Sequence, residues 1–67
     1  MNNSNLETQL EQYYSIINID KSKWANTLFD LGRSAYNHNQ HRDAATIFSL
    51  SFKYGNENAL DFFRKCL

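Results

Sequence analysis

The sequence predicts an all-α fold of three to four short antiparallel helices. Apolar residues recur at three- and four-residue spacing, proline is absent, and short breaks rich in Asn, Asp and Ser separate the apolar stripes. At 67 residues the chain is read as one small helical domain, residues 1–67, near the size at which a single core is barely sufficient. The short connections predict that successive helices lie antiparallel.

The first helix is expected over about 5–17. Ser4 and Glu7 have the spacing of a capping box, in which the hydroxyl accepts from a backbone amide and the carboxylate reaches back. Leu6, Leu10, Tyr14 and Ile17 then fall on one face. Residues 18–23 are polar and turn-like, with Ser22 the candidate N-cap of a second helix over about 23–37. Its apolar stripe is Trp24, Leu28, Leu31 and Ala35, with Tyr36 beside it, and it ends in Asn37-His38-Asn39, residue types that compete for backbone hydrogen bonds.

The third helix is expected over about 40–54, with Asp43 in its opening turn, where a negative charge favours the free amides. Ala44, Ile47, Phe48, Ser51 and Phe52 are assigned to its buried face. Gly55 stops it, because glycine reaches the left-handed conformation of a helix C-cap without a steric penalty. Asn56 can then cap a fourth helix over about 56–66. Glu57 and Asp61 near its start and Arg64 and Lys65 in its last turn complement the helix dipole. Ala59, Phe62, Phe63, Cys66 and Leu67 are its apolar residues, and Asp61 with Lys65 forms an i, i+4 charge pair.

Composition narrows the function classes. A hydrophobic content of 42% and an aromatic content of 15% are too high for a disordered chain, and no apolar run approaches a membrane-spanning length. A soluble cytoplasmic protein is the expectation, since the amino terminus shows no secretory pattern. One cysteine, Cys66, excludes an internal disulfide and a cysteine-based zinc site. Net charge is zero, but residues 1–20 carry only Glu7, Glu11 and Asp20, whereas all seven basic residues follow. Those seven are scattered rather than gathered in a stripe, which disfavours sequence-specific nucleic-acid binding. His38 and His41 flank a turn and read as solvated loop residues rather than metal ligands, and Glu7 with Glu11 reads as a solvated face rather than an acid/base pair. No nucleophile elbow, phosphate loop or zinc-protease string is present, so the chain is expected to be no enzyme and to need no cofactor.

From Trp24 to Phe63 the chain resembles a single tetratricopeptide or Sel1-type helical-hairpin repeat. Leu28, Leu31, Gly32, Ala44, Phe48 and Ser51 fall at that family's large, large, small, alanine, aromatic and small positions, and Gly55-Asn56 with Ala59 is similar to the Sel1 repeat junction. Ala35 departs from the pattern, standing where the family prefers an aromatic, and no proline closes the repeat. The resemblance implies a protein-binding hairpin with the outer helices as covers, because one isolated unit leaves faces that a repeat array would bury. Tyr36, Arg42-Asp43-Ala44-Ala45 and the Arg64, Cys66 pair also resemble the small negative regulators that bind AraC-type transcription activators. That second resemblance implies a regulatory partner.

Ten aromatic side chains exceed what four short helices can enclose. The adjacent pairs Tyr13-Tyr14, Leu28-Phe29 and Phe62-Phe63 place bulk on two sides of one helix, so one member of each is expected to face outward. Exposed aromatic surface on a small domain marks an interface, since burying each large apolar side chain contributes roughly 1.5–3 kcal/mol. The candidate partner-binding residues are therefore Trp24, Phe29, Tyr36, Phe52, Phe62 and Phe63, with Arg33 and Arg42 at the rim. The expected function is a non-enzymatic protein-protein interaction module, a regulator that sequesters a partner such as an AraC-type activator, and a homodimer is expected. The alternative is an immunity protein, antitoxin or secretion chaperone that binds a toxin or effector. Alanine at Phe29 is expected to weaken partner binding, whereas alanine at Leu31 or Phe48 is expected to cost about 2–5 kcal/mol of stability.

Overall fold

Caps and turn residues divide the described residues into four α-helices: α1 Asn3–Ile17, α2 Lys21–Asn37, α3 His41–Lys53 and α4 Asn58–Lys65. The computed structural model describes residues 3–67, with side chains from Asn5 onward. The hydroxyl of Ser4 expected in a capping box lies outside the described side chains. No strand occurs among the described residues, and none of their helices is long and apolar enough to cross a membrane.

Asp20, not Ser22, caps α2. Its carboxylate accepts from the Ser22 amide at 3.2 Å and from the Ser22 hydroxyl at 2.6 Å, so the expected cap residue is instead the donor that holds the real one. The α2–α3 turn closes with Asn39 at a positive φ of 62°. The Gln40 amide donates to Ala35 O at 2.9 Å and the Asn39 amide donates to Tyr36 O at 3.1 Å, a Schellman arrangement. The same arrangement ends α3 at Gly55, φ 120°, where the Asn56 amide donates to Ser51 O and the Gly55 amide to Phe52 O, each at 3.0 Å. Asn56 then accepts from the Asn58 amide at 3.0 Å and so caps α4, as its position in the sequence suggests.

Helices α2 and α3 form an antiparallel hairpin whose seam is built from small residues. A Cβ placed on Gly32 would lie 2.7 Å from Phe48 Cε1, so only glycine admits the ring at this distance. Further along the seam, the buried Ser51 hydroxyl donates to Ala25 O at 2.7 Å. The core consists of Trp24, Leu28, Ala35, Ala44, Ile47, Phe48, Leu50 and Ala59. Helices α4 and α1 both pack against α3. The body measures 30 × 27 × 17 Å. A thickness of 17 Å is less than two helix diameters of about 10–12 Å, so every helix keeps one face in solvent.

Three assignments of the buried face are corrected by this packing. Leu31 is 43% exposed and Phe52 is 44% exposed, while Leu50, absent from the expected buried face, is 2% exposed. On α3 the stripe of Ala44, Ile47, Phe48, Leu50 and Ser51 is wider than one helix face, because α1 and α2 cover adjoining sides of it. Leu67, expected on the apolar stripe of α4, is 86% exposed beyond the helix end.

Candidate functional site

Two side-chain hydrogen bonds tie α1 to the hairpin through one carboxylate. Lys53 Nζ donates to Glu11 Oε2 at 2.9 Å and the Tyr54 hydroxyl donates to Glu11 Oε1. These contacts hold the Glu11 carboxyl below its ordinary range, with the Tyr54 hydrogen bond the largest cause and Lys53 adding to it against some desolvation. The reciprocal effect pushes the Tyr54 hydroxyl up to about 12. Above this clamp, Tyr14 stacks on Trp24 with ring centroids 5.3 Å apart and an interplanar angle of 10°, while also meeting Tyr54 at 4.9 Å. Tyr13 meets the same indole at 5.9 Å.

Trp24 is therefore a core residue, 2% exposed, and not a surface anchor as its bulk suggests. Its Nε1 is buried and donates to no acceptor among the described residues. A buried donor without a partner loses its hydration without replacement, at a cost of about 1–3 kcal/mol.

A second aromatic group joins α2, α3 and α4. Phe29 meets Phe62 edge-on at 5.1 Å and Phe48 at 5.9 Å, and Phe62 meets Phe48 at 5.4 Å. Phe29, Phe62 and Phe63 are all half-buried against the core, so most of their apolar area is already spent on intramolecular packing. The expectation that one member of each adjacent pair faces outward is met by Tyr13, 55% exposed beside a packed Tyr14. Phe62 and Phe63 are both half-buried against the core, so neither faces fully outward.

The rim residues are placed around these groups. The Arg33 guanidinium lies 5.8 Å from the Phe29 ring centre and Lys65 Nζ lies 4.6 Å from that of Phe62. Lys65 covers that ring and is not in an ion pair with Asp61; Lys53–Glu11 is the ion pair among the described residues. Tyr36 is half-buried and stacks on His41 at 4.6 Å beside the exposed Arg42, at the hairpin turn. The structure thus brings together Phe29, Arg33 and Phe62, sets Tyr36 on His41 next to Arg42 in the chain, and leaves Phe52 44% exposed on α3. His38 Nδ1 donates to Ser34 O at 2.7 Å. Burial pushes the Cys66 thiol up, and its Sγ lies 3.4 Å from Phe62 O, which suits a small packing residue.

Exposed apolar side chains lie where the aromatic pairs did not direct attention: Ile16 at 77%, and Leu31. The neighbouring Ile16-Ile17 carries the same signal as Tyr13-Tyr14, since two adjacent large residues cannot share one helix face. A shallow hollow lined by Glu7, Thr8, Glu11, Gln12 and Ser15 belongs to α1 alone, and one helix cannot enclose a substrate. No group of three or more His, Cys, Asp or Glu among the described residues is placed to hold a metal ion. Comparison with protein-family models, curated proteins and solved structures finds no match.

Proposed function

We propose that this chain is a non-enzymatic protein-interaction module, a small regulator that binds and sequesters another protein. The observation that carries this reading is the incomplete closure of the hairpin by α1. Tyr13 and Ile16, one turn apart on α1, remain 55% and 77% exposed, while Trp24, whose ring Tyr13 and Tyr14 meet, has a buried Nε1 with no acceptor among the described residues. The apolar side of α1 is wider than the surface it covers, and apolar area of this kind on a small domain favours association. A transcription activator is the partner class favoured by the resemblance of Tyr36, Arg42-Asp43-Ala44-Ala45 and Arg64 with Cys66 to small regulators of such activators.

Affinity capture from the native host, followed by mass spectrometry and reconstitution of the captured protein with the purified chain, tests this reading. A stoichiometric complex with a transcription activator is the expected result. A monomer that captures nothing above background, at micromolar concentration and with a cooperative melt, overturns it.

A further inference from the structure

Helices α2 and α4 both pack on α3, and their side chains meet in order along a crease. Asn56, just ahead of α4, donates from Nδ2 to Asn26 Oδ1 at 3.1 Å, and further along both helices Phe62 meets Phe29 edge-on at 5.1 Å. The two helices therefore run in the same direction. One turn beyond the ring pair on each brings Arg33 of α2 and Lys65 of α4 to the same end of the crease. Their charged heads rest against the rings, the Arg33 guanidinium 5.8 Å from the Phe29 centre and Lys65 Nζ 4.6 Å from that of Phe62.

A cation held by a ring face is attracted without spending its N–H donors. Neither Arg33 nor Lys65 is in an ion pair among the described residues, and Asp30 and Asp61, exposed beside the two rings in the chain, pair with neither. Two positive heads at one end of a crease repel each other, and a carboxylate placed between them replaces that repulsion with two attractions. The floor of the crease is apolar. Phe29 and Phe62 are half-buried on the fully buried Phe48, so part of each ring remains open to an apolar group.

We infer that this crease docks a segment of the partner protein that carries a carboxylate beside an apolar side chain, with the acid between Arg33 and Lys65 and the apolar group on the Phe29–Phe62 pair. The inference rests on the interaction reading above and gives the partner's docking segment its chemistry. Charge complementarity selects the occupant, because the same two cations repel a basic segment. Both heads are already held against rings, so binding orders less side-chain freedom than it would for two unrestrained cations.

The test maps the amide shifts of the whole chain by NMR during titration with a short synthetic peptide of alternating glutamate and leucine, blocked at both ends. Saturable shifts centred on Phe29, Arg33, Phe62 and Lys65 are expected. Arg33→Gln and Lys65→Gln each remove one cation from an exposed position, and each should weaken binding by about threefold to fivefold, the scale of an exposed ion pair. Lys21→Gln, the same loss of charge at the start of α2, should leave binding unchanged. Added salt should weaken binding to the parent chain and have little effect on the double variant Arg33→Gln with Lys65→Gln.

Absence of saturable shifts, or shifts centred elsewhere, overturns the inference. So does equal binding of a peptide with glutamine in place of glutamate, or equal weakening by Lys21→Gln. A single-stranded oligonucleotide that binds these residues more tightly than the peptide assigns the crease to nucleic acid, and self-association abolished by Arg33→Gln assigns it to a second copy; either result overturns the inference. A captured partner that binds the double variant as tightly as the parent leaves the interaction reading standing and removes only the crease.

Discussion

Gly32 and Phe48 set the separation of α2 and α3: a Cβ on Gly32 would meet Phe48 Cε1 at 2.7 Å and Cδ1 at 2.8 Å. The ring cannot swing away, because Phe29 and Phe62 pack against it and it is fully buried. Gly32→Ala gains about 1 kcal/mol of helix propensity but forces an overpacked core that costs about 1–3 kcal/mol. The expected net effect is a loss of up to about 2 kcal/mol in chemical denaturation. A more stable variant would show that the hairpin can widen freely at this point.

Gly55 makes the opposite demand, since a Cβ there would meet nothing within 4 Å, yet φ is 120°. Space is available and the backbone conformation is not. Gly55→Ala should destabilise by about 1 kcal/mol or more through backbone strain alone. D-Alanine introduced at the same position by chemical synthesis should be tolerated. Equal losses for the two enantiomers in thermal melts would argue against strain as the cause.

Leu31 and Phe48 separate two residues that periodicity treats alike. Leu31 is 43% exposed and Phe48 is fully buried. Phe48→Ala should cost about 3–5 kcal/mol, whereas Leu31→Ala should stay below about 1 kcal/mol because it leaves no enclosed cavity. A urea titration of both variants reads this contrast in the midpoints, and a Leu31 loss matching that of Phe48 would place Leu31 in the core.

What the sequence makes legible here is local. Asn39, Gly55 and Asn56 mark helix ends through backbone chemistry that acts within a few residues, and Gly32 with Phe48 reports the close seam. The apolar stripe of α2 names Trp24, Leu28, Leu31 and Ala35 correctly as one face, but the width of cover over that face depends on where α1 lies. Leu50 is buried and Leu31 is left open, an outcome of how the four helices pack rather than of spacing along one of them. The sequence puts Trp24 both on this stripe and among the candidate partner-binding residues, and the structure keeps only the first. The burial of Trp24 depends on Tyr13 and Tyr14, whose approach is a tertiary matter that no spacing rule encodes.

The Glu11–Tyr54 contact gives the stability of this fold two pH limits with opposite signs. Glu11 has a folded-state pKa below the ordinary 4.5, so its contribution is present above that value and is lost as pH falls through the depressed one. Tyr54 is raised from 10.0 to about 12, so its contribution is present below pH 10 and is lost as pH rises towards 12. Lys53 is raised from 10.5, chiefly by its hydrogen bond to Glu11, and weakens on the same alkaline side. Between these limits the clamp should contribute a constant amount. Tyr54→Phe should therefore be less stable than the parent at neutral pH, and the difference should shrink both below pH 4.5 and above pH 10. Melting curves collected across this range check the expectation, and a gap between parent and variant that is the same at every pH would show that the Tyr54 hydroxyl does not hold α1 through Glu11.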